Sequence, residues 1–249
     1  MQKADESDAF LAMLGERLAA IPGVVAVTLG GSRARGTHRP DSDWDFGLYY
    51  RDTIDADDVR GLGFPGEVAS PGDWAHPMNG GAWLTVENRP VDLLYRDLSD
   101  VERSMREADA GRWELFRVPG FLCGMASYVP AGEVAIGRVL HGDLPSYAFP
   151  DLLAERGPTK WRWEAAFAVR HARAHARLGD IAACLGKLAQ AVVAEGHARL
   201  LERKIWALND KRVVADADLG RVEAVLRPGE DLLGLVERTA SGLGVNGDD

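Results

Sequence analysis

A short β-branched run that ends in a glycine turn constrains the fold of this chain more than any other feature. Val24 to Leu29 has the composition of a buried strand, and Gly30-Gly31-Ser32, the glycine turn, follows it at once. A strand that passes directly into a helix exposes backbone N–H groups that have no partner inside the helix. Such groups form an anion cradle, and glycines let an anion approach the backbone closely.

Two aspartates separated by one residue open the following strand. Asp43 and Asp45 belong to an alternating stretch that runs to Tyr50. Alternate residues of a strand project to the same face, which predicts two carboxylates about 7 Å apart at the backbone. Like charges this close raise one carboxyl pKa unless a cation neutralises them, and Mg²⁺ prefers carboxylate oxygens. The pair therefore predicts a site for two Mg²⁺ ions, which clamp both oxygens of a phosphoryl displacement.

A third acid is expected on a later strand. Asp92 is the one charged residue within the otherwise apolar run from Pro90 to Tyr95. A carboxylate in a buried strand is costly unless it is paired or binds a metal ion. The alternative is a solvent-facing position on an edge strand. Beside the glycine turn and the aspartate pair, we interpret Asp92 as the third acid of the site.

Side chains near the glycine turn are candidates for holding a triphosphate. Ser32 supplies a hydroxyl donor, and Arg33 or Arg35 can offset phosphate charge. Lys187, in a helical stretch of the second half, either reaches the triphosphate across a cleft or is a surface lysine. The turn lacks both the Gly-Lys-Ser/Thr of a Walker A loop and the Gly-x-Gly-x-x-Gly of a dinucleotide site.

The order of these motifs resembles the signature of the DNA polymerase beta-type nucleotidyltransferase superfamily. In that signature Gly-Ser follows the first strand, Asp-x-Asp opens the next strand, and a third acid lies on a later one. Here Gly31-Ser32, Asp43-x-Asp45 and Asp92 stand in this order. The Arg-Ala-Arg-Gly continuation of the glycine turn particularly resembles small bacterial members.

The resemblance covers roughly residues 20–97 and implies a role for each matched residue. Asp43 and Asp45 would bind both metal ions, while Asp92 would bind the catalytic ion and assist deprotonation of the acceptor. The triphosphate would be held by the glycine turn, with further contacts from two cations; the predicted nucleotide-binding set is Gly30, Gly31, Ser32, Arg35 and Lys187.

The resemblance also implies the fold class. We expect an α+β protein in which a polymerase-beta-like domain, with a mixed or antiparallel sheet and flanking helices, precedes a helical bundle. Residues 1–150 would form the catalytic domain and residues 151–249 the helical domain. Proline and glycine cluster near this boundary, at Pro145, Pro150, Gly157 and Pro158. The layout is similar to that of aminoglycoside and lincosamide nucleotidyltransferases.

Hydrophobic periodicity predicts the remaining elements. Helices are expected over residues 7–20, 98–118 and 216–242, with two or more packed helices between residues 160 and 207. Strands are expected over residues 43–50, 82–86 and 90–95, with the last two joined by a turn at residues 87–89. Residues 52–80 are rich in Asp, Gly and Pro and look mostly irregular.

The predicted reaction moves a nucleoside monophosphate from an NTP, with ATP favoured, to a hydroxyl group and releases pyrophosphate. A net charge of −9 argues against a bulk nucleic-acid acceptor. A small molecule is therefore the expected acceptor, with an antibiotic as first candidate. Two alternatives stay open: modification of a partner toxin protein, and a non-catalytic nucleotide-binding sensor. The acceptor, the preferred base and the oligomeric state stay undetermined at this level.

Several further side chains have both a functional and a structural interpretation. Asp73 and Glu87 are alternatives to Asp92 as the base, or ordinary turn residues. Four tryptophans can stack on a base or a sugar acceptor, or pack in a core: Trp74, Trp83, Trp161 and Trp163. Residues 159–212 carry 11 Lys and Arg against 5 Asp and Glu, and their last cations can compensate a helix dipole. These cations belong to a polar cluster near a helix end, which comprises Lys204, Asn209, Lys211 and Arg212.

Composition predicts a cytoplasmic protein without a membrane span. The chain has 2 cysteines, too few for a disulfide framework. Its polar, acidic beginning is unlike a secretory signal, and no apolar run reaches the roughly 20 residues of a membrane span.

His171 and His175 share a helix face but lack the Glu of a zinc protease motif.

Overall fold

The computed structural model describes residues 2–74 and 76–226. Its helices are α1 (Gln2–Ala19), α2 (Gly31–Ala34), α3 (Ala56–Arg60), α4 (Leu98–Asp109), α5 (Val129–Ile136), α6 (Asp151–Leu178), α7 (Ile181–Glu202), α8 (Val213–Asp216) and α9 (Gly220–Glu223), followed by a 3₁₀ turn at Ala224–Leu226. Its strands are β1 (Val24–Leu29), β2 (Trp44–Tyr50), β3 (Gly66–Val68), β4 (Gly81–Val86), β5 (Arg89–Asp97), β6 (Leu115–Phe116), β7 (Met125–Ala126) and β8 (Arg138–Gly142).

A mixed sheet organises the first half of the described chain. Its strands lie in the order β3-β4-β5-β2-β1-β8, and β6 pairs with β7 separately. β2 and β5 run parallel, whereas the other neighbours in the large sheet run antiparallel. With its flanking helices and the helical region that follows, this sheet confirms the predicted α+β architecture.

One face of the sheet is closed by α1. Phe10, Leu14 and Leu18 recur at helical spacing on α1 and pack with alternate sheet residues such as Phe46 and Leu93. Burying such side chains contributes roughly 1.5–3 kcal/mol each. In each strand, the residues that alternate with these core residues project to the opposite face of the sheet.

The opposite face is only partly covered. α4 and α5 supply Leu98, Val101 and Val134, which pack on Ala26 and Tyr49. Tyr49 lies toward the end of β2, so these helices cover that end of the face. Asp45, the second residue of β2, lies four residues before Tyr49 and thus about 13 Å from this cover along the strand.

The helical half is built on an antiparallel pair, α6 and α7. The pair turns at Gly179, which ends α6 with a left-handed φ of 75°. Trp161 on α6 is fully buried, with its ring stacked 4.9 Å from Trp113 and 4.4 Å from His197. This core joins residues that precede α6 to residues of α6 and α7, and a domain boundary at residue 150 stays a prediction.

Several predicted boundaries differ from those observed. The helix expected over residues 98–118 ends at Asp109, because Gly111 takes a left-handed φ of 70° and the chain turns toward β6. Residues 52–80 hold α3 and β3 rather than only irregular structure. The second-half helices begin at Asp151, so that Gly157 and Pro158 lie inside α6 and not in a linker.

The ends of other elements have local causes. The hairpin between β4 and β5 turns at Glu87 and Asn88, whose φ values of 50° and 60° suit a two-residue turn. Of the helix predicted over residues 216–242, the described part is broken into α8, α9 and the 3₁₀ turn, with a left-handed φ of 57° at Asp218. Residues 227–242 lie outside the described residues. None of the helices described combines the length and hydropathy that a membrane span requires.

Candidate active site

Asp45 and Asp92 lie side by side on the two parallel strands. Asp45 of β2 is in register with Asp92 of β5, and neighbouring strands are about 4.8 Å apart. Both side chains project from the face opposite the α1 core, at the end that α4 and α5 leave uncovered. Asp43 directly precedes β2 and is exposed, whereas Asp45 and Asp92 are partly buried. The structure thus places Asp45 beside Asp92, with Asp43 at the entry to the same strand.

Burial and the neighbouring acids shift the pKa values of Asp45 and Asp92. Burial, followed by the charges of Asp45 and Asp43, raises the pKa of Asp92 to about 6. The pKa of Asp45 is raised as well, first by burial and then by the charge of Asp43. Lys211 opposes both shifts. The site therefore carries more negative charge than its surroundings neutralise.

This charge suits a hard divalent cation. Carboxylate oxygens are the ligands that Mg²⁺ takes in proteins, and an added cation would favour the charged forms of the acids. Within residues 2–74 and 76–226, no three His, Cys, Asp or Glu side chains are already gathered as a metal-binding group. The donor chemistry fits a metal ion, although the side chains are not preassembled around a single point.

The glycine turn lies against Asp45. The Gly30 amide donates to the Asp45 carbonyl at 2.8 Å, and α2 begins at the next residue. Gly31 has a left-handed φ of 57°, and a Cβ there would lie only 1.8 Å from Oδ2 of Asp45. Sequence reasoning assigned this glycine to phosphate approach, and the structure adds that it leaves room for the Asp45 carboxylate.

The family comparison agrees with this arrangement. The family model described as "Nucleotidyltransferase domain" matches residues 11–72, a range that includes the glycine turn and both aspartates of Asp-x-Asp. Residues 11–72 are thus similar in sequence to a nucleotidyltransferase domain. This confirms the resemblance to the polymerase beta-like superfamily that the motifs predicted. Asp92 lies beyond the matched range, and the sheet register alone places it beside Asp45.

A structural comparison gives a more distant likeness. A solved nucleotidyltransferase-like protein from Exiguobacterium sibiricum 255-15 superposes with a TM-score of 0.36 at 12% sequence identity. The match covers 85% of this chain and 64% of the other, so the chain spans less than two thirds of that protein. No curated protein matches the chain in sequence.

Two arginines hold the nucleotidyltransferase motif in shape. Arg33 donates to the carbonyl oxygens of Asp43 at 3.0 Å and Ser42 at 2.7 Å, and its guanidinium lies 3.8 Å from the centre of the Trp44 ring. These contacts fix the chain that enters β2. Arg35 donates to the Trp206 carbonyl at 3.0 Å, linking the glycine turn to the segment after α7. Its predicted contact with a triphosphate stays a prediction.

The lysine whose charge reaches the acids is Lys211. Among the described residues, the charge of Lys211 lowers the pKa values of both Asp45 and Asp92. Lys187 instead donates to Gln190 at 2.9 Å on α7. The sequence placed Lys211 among cations near a helix end. The feature that could have indicated a role at the site is its position at the end of the basic segment, residues 159–212.

The segment that carries Lys211 is attached to neighbouring elements by Asp210. Oδ1 of Asp210 lies 2.9 Å from Nε2 of the buried His197 on α7. Oδ2 accepts from the Leu122 amide at 2.6 Å and from the Cys123 amide at 3.4 Å. Asp210 thus fixes the backbone next to Lys211.

Most of the remaining candidate side chains contact residues close to them in the sequence. Glu87 pairs with Arg89 at 2.6 Å, and Asp73 accepts from the Ser70 amide at 2.6 Å, so both take part in turn contacts. His175 lies 3.3 Å from Asp180 at the end of α6. Of the four tryptophans, Trp161 is in the core, Trp163 is exposed on α6, and Trp74 stacks with Trp83 beside the acids.

Proposed function

We propose that the nucleotidyltransferase domain moves a nucleoside monophosphate from an NTP, with ATP as first candidate, to a hydroxyl group of a small molecule. The single observation that supports this most is the register pairing of Asp45 with Asp92 beside the glycine turn. Acids on adjacent strands next to free helical amides place cation ligands and an anion cradle together.

Asp43, Asp45 and Asp92 are the residues that would hold two Mg²⁺ ions. Such ions supply charge neutralisation at the reacting phosphoryl group when they are bound. We choose these residues as Mg²⁺ ligands because their negative charge exceeds what the surrounding cations neutralise.

The glycine turn and Lys211 are the proposed triphosphate contacts. Gly30 has no side chain to cap α2, which leaves the amides of Gly31 and Ser32 for phosphate oxygens, beside the Ser32 hydroxyl. We place Lys211, rather than Lys187, in the role of the cation contributed by the second half of the chain. Its ammonium group would stabilise the charge that develops on the leaving pyrophosphate.

In the proposed reaction, the acceptor oxygen attacks the α-phosphorus in line, and the bond to pyrophosphate breaks. The proton of the acceptor hydroxyl passes to a carboxylate, for which Asp92 is our candidate. A base must lie within hydrogen-bond reach of the proton that it takes, and the parallel register places Asp92 beside Asp45 on the face that also carries the glycine turn. Asp73 and Glu87 are less suited because they are held in turns.

The acceptor is proposed to be a small molecule, with an antibiotic as first candidate. A net charge of −9 disfavours a polynucleotide acceptor. Modification of a partner toxin protein and nucleotide sensing without catalysis are the alternatives. Intact-mass measurement of candidate acceptors, small molecules and proteins alike, separates the first two.

The test of the reaction is pyrophosphate release with Mg²⁺ and each of the four common NTPs. Asp45→Asn should abolish release while the protein stays folded, because it removes a charged ligand and keeps the side-chain shape. Asp41→Asn is the matched control, since Asp41 is an exposed carboxylate near the motif and forms a surface ion pair with Arg39, at 3.4 Å. Equal activity in wild type and Asp45→Asn would refute the proposal.

A further inference from the structure

Trp83 is a large apolar side chain left 52% exposed beside the three acids. It lies in β4 directly opposite Asp92 of β5. Its neighbours Ala82 and Leu84 belong to the core under α1, so Trp83 projects from the opposite face, which is the face of Asp92 and Asp45. Side chains of directly opposed residues have Cβ atoms about 4.5–5.5 Å apart. Trp83 is therefore an immediate neighbour of the Asp92 carboxyl group.

A second indole supports Trp83. The ring of Trp74 lies 4.7 Å from that of Trp83, with 30° between the planes. Trp74 also covers Gly81, where a Cβ would lie 2.9 Å from two carbons of the indole and 1.9 Å from the Leu93 carbonyl oxygen. The missing side chain at Gly81 thus leaves room both for β5 and for the Trp74 ring. The two rings form an aromatic platform, Trp74–Trp83, on the acid-bearing face of the sheet.

The platform and the glycine turn lie on opposite sides of the acids. Across the sheet the order is β4, β5, β2, β1, which gives Trp83, then Asp92, then Asp45, then the glycine turn that follows β1. In an in-line displacement the attacking oxygen and the leaving pyrophosphate are on opposite sides of the phosphorus. If the glycine turn holds the triphosphate, the attacking hydroxyl approaches from the side of Trp83.

We propose that the Trp74–Trp83 platform binds the acceptor, and that the acceptor is a hydroxylated ring compound with an apolar face, of the pyranose type. This inference rests on the proposed function. The face of an indole is a large, rigid apolar surface, and it matches the C–H face of a saturated ring while leaving the ring hydroxyls directed outward. A ring seated on Trp83 presents such a hydroxyl toward Asp92, which is the candidate base.

The test is saturation-transfer NMR on the full chain, with methyl pyranosides of glucose, galactose and mannose as acceptor probes. A non-hydrolysable ATP analogue with Mg²⁺ is measured separately. We expect transfer to the ring C–H protons of at least one pyranoside, at least fivefold weaker in Trp83→Ala and retained in Trp83→Phe. Trp163→Ala is the matched control, because Trp163 is 56% exposed and stacks 5.0 Å from Phe167 on α6.

Nucleotide binding should be unchanged in all three variants, which also shows that they are folded. Three results would overturn the inference: no transfer to any pyranoside in the wild type, equal transfer in Trp83→Ala, or loss of transfer to the adenine protons in Trp83→Ala. The last result would make the platform a base site. Failure of the proposed function would show separately, as a wild-type protein that does not bind the nucleotide analogue.

Discussion

Replacing Gly31 with alanine should remove activity to an extent that its backbone cost in stability does not explain. A Cβ at residue 31 would lie 1.8 Å from Oδ2 and 2.6 Å from Cγ of Asp45. Ordinary contact begins at 3.4 Å, so the Asp45 carboxylate must shift by about 1.6 Å, the difference between 3.4 and 1.8 Å. A misplacement of about 1 Å in an active site can cost roughly 100-fold in rate, or about 2.7 kcal/mol in the barrier.

The glycine conformation adds a separate cost that a control can isolate. Gly31 has a φ of +57°, and alanine in this region costs about 1–2 kcal/mol. Gly36 has a similar φ of +69°, but no atom lies within 4 Å of a Cβ built there. Gly36→Ala therefore carries the backbone cost without the collision with Asp45, and the two variants should unfold at similar urea concentrations.

The assay compares the two variants by calorimetric binding of NTP with Mg²⁺ and by pyrophosphate release. We expect Gly31→Ala to lose at least 100-fold in kcat/KM relative to Gly36→Ala. If the two variants release pyrophosphate within threefold of each other, the Asp45 carboxylate does not need the space beside Gly31. The reasoning that joins the glycine turn to the acid site would then be wrong.

Two further predictions concern the segment after α7. Lys211→Ala should raise the KM for NTP about tenfold, whereas Lys187→Ala should not; equal KM values would exclude Lys211 from the site. Although burial opposes it, the hydrogen bond from His197 lowers the pKa of Asp210, so Asp210→Asn should cost about 1–3 kcal/mol near pH 7. Because a lowered pKa adds stability only above the unfolded-state value, the wild-type advantage in urea unfolding should shrink as the pH falls below about 4; a constant difference would contradict this.

The sequence by itself was sufficient for features that depend on neighbouring residues. Val24–Leu29, the glycine turn and Asp43-x-Asp45 could be interpreted together because strand alternation and turn chemistry are local properties. The hairpin at Glu87 and Asn88 and the helical character of the second half were predictable for the same reason. Helix ends were predicted less well: the helix expected to run to residue 118 ends at Asp109, shortly before Gly111, a residue type that commonly ends helices.

Only the tertiary structure decided which distant side chains meet. Asp92 is 47 residues from Asp45 in the sequence, and their pairing depends on the parallel register of β2 and β5. The choice of Lys211 over Lys187 depends on Asp210, which ties the segment after α7 to α7 and to the Leu122 amide. Periodicity determines the face of an element from which a side chain projects, whereas register and loop attachment follow from the packing of the whole chain.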